Sequence, residues 1–120
     1  MTVEDIHFSY MFGSFIEENT PFHDIDLGVF FAEKNRLRMT EAAIDLAILL
    51  SWKTAYPVDV RVLNFAPVSF VYHALRGELI YEKNTDIRCQ VMENTVRRYL
   101  DMKPILYRAT KEAYSHEPQS

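Results

Sequence analysis

The 120-residue chain reads as one α/β (α+β) domain, a small mixed sheet of about four strands flanked by helices. Three observations predict it. Strand-like and helix-like segments succeed one another along the whole chain. Val58 to Leu63 alternates with a period of two, whereas Ala43, Ile44, Ala47 and Ile48 recur at helical spacing. With 48% apolar residues and only three glycines, the chain suits a single domain that buries its own core. The domain is expected to span 1–120, with a core over about 8–83 and a C-terminal helical segment over about 85–115.

In chain order, Phe8 to Phe12 is the first strand, the Gly13 to His23 segment a turn with one helical turn, and Ile25 to Ala32 the second strand. Thr40 can cap the next helix, because its hydroxyl accepts from early backbone N–H groups; the broad apolar pattern then runs to about Lys53. Val58 to Leu63 is the third strand. It sends Val58, Val60 and Val62 to one side and Asp59, Arg61 and Leu63 to the other. Pro67 at a first helical position and Gly77 just past a last turn bracket a helix through Arg76. Leu79 to Glu82 is the fourth strand, and Thr85 to about Tyr114 a long helical pattern interrupted or kinked near Pro104. On that last helix Ile87, Val91, Met92, Val96, Tyr99 and Leu100 can pack on the sheet, while Leu106, Tyr107 and Tyr114 extend beyond it. This surplus fits either a partner interface or a helix folded back at Pro104.

The chemistry concentrates near the start of the chain. Asp24 and Asp26 alternate with Ile25 and Leu27, so in a strand both carboxylates stand on one face. Like charges held that close repel unless a cation neutralises them. Hard oxygen donors suit magnesium, which binds one or two protein carboxylates together with substrate phosphates. Asp59 is a third candidate, and three carboxylates allow two metals roughly 3.5–4 Å apart, the arrangement used for in-line displacement. Gly13, lacking a Cβ, lets backbone N–H groups approach a phosphate, and the Ser14 hydroxyl adds a donor.

An apolar residue followed by Gly13-Ser14, a short spacer, and then Asp24-Ile25-Asp26-Leu27 resembles the signature of minimal nucleotidyltransferases of the polymerase-beta superfamily. The likeness extends through Val58-Asp59-Val60, Leu63-Asn64-Phe65-Ala66-Pro67 and Gly77-Glu78-Leu79-Ile80-Tyr81, most of residues 8–83. It implies a polymerase-beta-like nucleotidyltransferase fold. It further implies magnesium-dependent transfer of AMP from ATP, with Gly13 and Ser14 on the nucleotide and Asp24, Asp26 and Asp59 as metal-binding and catalytic residues. Stand-alone members are similar to antitoxins that adenylylate a tyrosine of a HEPN toxin, so the implied partner is such a toxin. The alternative is a vestigial antitoxin or binding module that neutralises its partner by contact, a reading suggested by Glu17-Glu18 where relatives carry an Ala-Arg-Gly-like segment. Transfer to a small molecule such as an aminoglycoside ranks lower, because those relatives carry a larger second domain.

Other features bound the function. A formal charge of −4 argues against a nucleic-acid groove, which leaves a basic footprint. The single Cys89 excludes an internal disulfide, and it reads as a small buried residue on a helix. No basic-then-apolar leader opens the chain, and the apolar run Ala42 to Leu50 is short and broken by Asp45, so a cytoplasmic protein with no membrane partner is expected. An oligomer or heterocomplex is compatible with all of this. His7, His23, His73 and His116 lack metal-ligand spacing. Lys34, Arg36 and Arg38 form a basic cluster, most simply a solvated face, and Phe65, Phe70, Tyr72 and Tyr81 read as core.

Overall fold

The computed structural model describes residues 5–13 and 24–115. Four strands and three helices follow the order β1 (Ile6–Phe12), β2 (Ile25–Phe31), α1 (Arg36–Thr54), β3 (Val58–Val62), α2 (Val68–Leu75), β4 (Glu78–Glu82) and α3 (Thr85–Ser115). The sheet is mixed, ordered β3-β2-β1-β4; β1 runs antiparallel to both β2 and β4, and β2 runs parallel to β3 through the α1 crossover. The expected α/β class and strand count are therefore observed.

Alternation splits the interior into two layers. Ile25, Leu27, Val29 and Phe31 of β2, with Val58 and Val60 of β3, face α1 and meet Met39 and Ala43. Phe8, Tyr10 and Phe12 of β1 face the opposite layer and meet Leu63 with Val71, Ala74 and Leu75 of α2. A register shift between Ile6 and Phe8 turns Ile6 toward the α1 layer, so one strand feeds both cores. Phe8 is fully buried, stacked on Phe30 at 5.2 Å and edge-on to Tyr10 at 5.9 Å.

Ser9 is the misfit of this arrangement. Its hydroxyl is buried and has no hydrogen-bond partner among the described residues, facing an apolar space of about 150 Å³ shared with Leu27, Val29, Leu46 and Leu50. An unpaired buried hydroxyl costs more than its removal. Ser9→Ala is accordingly expected to stabilise the domain by about 1 kcal/mol, read as a rise in the urea midpoint at unchanged slope.

Several boundaries differ from expectation for identifiable reasons. α1 starts at Arg36, not Thr40, because Asn35 accepts the Arg38 N–H at 3.0 Å; the Thr40 hydroxyl instead donates to the Arg36 carbonyl. Pro67 occupies the cap of α2 rather than its first turn. α3 continues through Pro104 over 31 residues, about 46 Å at 1.5 Å per residue, so the helix does not fold back there. Ile87, Val91 and Met92 pack on the second layer, but Val96, Leu100, Ile105 and Tyr107 are exposed. Cys89 is exposed as well, which corrects its expected burial. Tyr72 stacks on Tyr99 at 3.8 Å and joins α2 to α3. Phe65, expected in the core, lies at the surface beneath Arg36. Among the described residues no helix is long and apolar enough to cross a membrane.

Candidate active site

The end of the sheet where β1 finishes and β2 and β3 begin gathers the carboxylates. Asp26 pairs in register with Phe12 on one side and Asp59 on the other, and residues paired across a ladder point to the same face. Asp24, just before β2, stands two residues from Asp26 and is near enough for its charge to raise the Asp26 carboxyl. Asp26 and Asp59 lie opposite α1, because Ile25, Leu27, Val58 and Val60 take the α1 side.

Local bonds fix this arrangement. The Ile25 N–H donates to the Pro57 carbonyl at 2.9 Å, and the Val58 N–H donates to the Ser51 hydroxyl at 3.0 Å, tying the end of α1 to the start of β3. Gly13 has φ +82°, the left-handed region that favours glycine, and a Cβ there would sit 2.5 Å from Asp26 Oδ2. The backbone at Gly13 therefore touches the central carboxylate, as the spacing of the two motifs suggests. Gly13→Ala would combine backbone strain with that collision and is expected to cost about 1–3 kcal/mol while displacing Asp26, seen as a lowered thermal midpoint together with weakened magnesium-ATP binding by calorimetry.

Electrostatics single out Asp26. Burial pushes its carboxyl up first, the neighbouring Asp59 and Asp24 charges push it further, and Arg61 opposes them. Arg61, two residues on from Asp59 on the same strand face, donates from Nε to Asp59 Oδ2 at 2.9 Å. This arginine belongs to the site although the motifs did not single it out; its period-two spacing from Asp59 is the signal that finds it. By contrast Lys34, Arg36 and Arg38 follow the far end of β2, about 17 Å from Asp26 at 3.3–3.4 Å per residue. Arg38 pairs with Glu33, and Arg36 lies over the Phe65 ring rather than beside the carboxylates.

Ser14 and His23, together with Glu17 and Glu18, lie outside the described residues. Among the described residues no group of three or more His, Cys, Asp or Glu side chains is close enough to hold a metal ion by itself. The donor chemistry nevertheless fits magnesium, which usually uses one or two carboxylates and completes its shell with water and phosphate oxygens. Asp24 and Asp26 offer such a pair, and the crowding that raises the Asp26 carboxyl is what a bound cation relieves.

Comparison with known proteins bears on the family and the fold. A family model described as polymerase beta, nucleotidyltransferase matches residues 1–86. No curated protein gives a significant match. Among solved structures, a chain of a toxin–antitoxin with AMP-PNP is similar at TM-score 0.73 and 18% identity, over 92% of this chain and 87% of that chain. A chain of a tri-AMPylated Shewanella oneidensis HEPN toxin in complex with MNT antitoxin is similar at TM-score 0.69 and 17% identity, over 93% and 86%. A chain of the MntA–HepT toxin–antitoxin is similar at TM-score 0.69 and 16% identity, over 94% and 87%. At these identities the likeness is one of fold.

Proposed function

Since the chain belongs to the polymerase-beta nucleotidyltransferase family, we propose that it transfers AMP from ATP to a hydroxyl of a protein partner, a HEPN-type toxin whose tyrosine is the acceptor, and so acts as an antitoxin. The observation that carries the reading is the shared face of Asp26 and Asp59, with the Asp24 charge beside Asp26 and the Gly13 backbone against it. The AMP-PNP and AMPylated-toxin complexes of similar fold support the choice of nucleotide and partner.

In this reading Gly13 and Ser14 hold the distal phosphates, while Asp24 and Asp26 are the residues whose hard oxygens would hold magnesium beside them. Magnesium, when bound, neutralises the carboxylates and draws charge from the phosphate oxygens. The acceptor oxygen forms a bond to the α-phosphorus as the bond from that phosphorus to the pyrophosphate oxygen breaks. The hydroxyl proton passes to Asp59, which also contributes to metal binding. Orientation and charge neutralisation supply most of the rate.

A second reading, neutralisation by contact alone, is favoured by the Arg61–Asp59 pair, which occupies one of the three carboxylates. The two are separated by incubating the protein with α-labelled ATP, magnesium and a HEPN-type partner protein. Label on that partner, absent in Asp24→Ala and Asp26→Ala and abolished by chelator, supports transfer. Neutralisation of the partner that survives both substitutions, without label, supports contact.

A further inference from the structure

A groove of about 390 Å³ opens beside the free edge of β3. Its walls come from the first turns of α1, from β3 and from the turn into α2, and they include Arg36, Ile44, Arg61, Phe65 and Phe70. Among the described residues two guanidinium groups line it and no carboxylate does, in a chain whose 17 acidic residues outnumber its 13 lysines and arginines. The turn is held in place: the Asn64 side chain accepts from the Phe31 N–H at 2.8 Å and donates to the Phe31 carbonyl at 2.9 Å. Next to it, the Arg36 guanidinium lies 4.3 Å over the Phe65 ring.

The position of the groove gives it meaning. Across the sheet, Gly13, Asp26 and Asp59 follow the order β1, β2, β3. If the phosphates sit at Gly13 and the reacting phosphorus near Asp26, the acceptor approaches from beyond Asp59, the side where the groove lies. Arg61 belongs to both places, lining the groove while bonding Asp59. The lining also continues along α1, where Ile44, Ile48 and Trp52 follow at four-residue spacing and are 56%, 57% and 82% exposed. Met39 and Ala43 already bury the opposite side of that helix, so α1 is apolar on two faces and one of them has no cover among the described residues.

Resting on the nucleotidyl-transfer reading, we propose that this groove is the acceptor subsite, and that it receives a segment of the partner protein bearing the reactive hydroxyl and, several residues along, an acidic side chain. The acidic group pairs with Arg36. The body of the partner covers Ile44, Ile48 and Trp52. Charge complementarity selects this occupant: a groove whose described lining has two arginines and no carboxylate accepts an anionic segment and disfavours a basic one.

The test uses the full chain with its HEPN-type partner and magnesium-ATP. Arg36→Glu and Phe65→Ala are expected to raise the KM for the partner roughly tenfold or more with little change in kcat, and to leave magnesium-ATP affinity by calorimetry unchanged. Arg36→Lys is expected to recover part of the loss. Trp52 is the only tryptophan of the chain, so 5-fluorotryptophan gives one resonance here, which is expected to shift when partner is added without nucleotide. An unchanged partner KM in variants of a protein that does transfer label overturns this inference alone, as does an equal loss of nucleotide affinity, which would assign the groove to ATP. Absence of both binding and transfer with the unsubstituted protein overturns the function reading, and the subsite with it.

Discussion

Asp26→Asn is expected to lose nucleotidyl transfer by roughly 10²- to 10³-fold or more, the scale on which withdrawing one transition-state charge contact acts. The same change should not harm the fold. Asp26 has its carboxyl raised by burial, Asp59 and Asp24, so the native state holds that proton more tightly than the unfolded chain. The ionised carboxylate therefore opposes folding fully above its native pKa, and the opposition fades as pH falls toward the ordinary value of 3.8. Asparagine removes it, so at neutral pH the inactive variant should melt no lower than the parent. Asp26 must be ionised to bind a metal, and its raised carboxyl means activity declines on acidification from a higher pH than an ordinary aspartate would give. Magnesium opposes that shift, so adding it should move the acid limb of the pH profile downward. A variant that loses activity by unfolding, or an acid limb indifferent to magnesium, would contradict this account of Asp26.

Phe8→Ala carries the largest expected effect on stability. The ring is fully buried at the centre of the second layer, between Phe30 and Tyr10. Truncation forfeits its transfer energy and leaves a cavity that a sheet residue cannot relax to fill, about 3–5 kcal/mol in comparable cores. For a chain of this size that corresponds to roughly 10–20 °C in the melting midpoint. Phe8→Leu keeps most of the volume and should cost about 1–2 kcal/mol. The pair is read by thermal denaturation followed by circular dichroism; a drop of under about 5 °C for alanine would remove Phe8 from its central role.

The strands and their acidic face were legible because both follow the period of two. Asp26 alternates with buried residues, and Asp59 alternates with Val58 and Val60, so their shared side follows once the strands pair. The register that sets Asp26 beside Asp59 was not legible, because it depends on how α1 returns the chain to the sheet. The start of α1 was hidden for another reason. Arg36 to Met39 are good helix formers, but without apolar spacing their charges read as surface, and the Asn35 cap becomes evident only from its bond to the Arg38 N–H. Cys89 and Phe65 were misjudged because intrinsic preference for the interior does not decide which side of an element a residue occupies. Pro104 signals a break in a helix, yet α3 extends past it.

Gly28 and Leu63 link the chemistry to the integrity of the fold. The Leu63 methyl groups lie where a Cβ on Gly28 would come within 3.0–3.2 Å of them, on the same side of the sheet as Asp26 and Asp59. That contact pins a strand that is outermost among the described residues, its other flank without a neighbouring strand there. A slip of β3 by a single position would turn Asp59 toward α1 and bring a valine into its place. Loosening of one peripheral strand would thus silence the protein while its two hydrophobic layers were still largely intact, so loss of catalysis should precede loss of helicity on gentle heating.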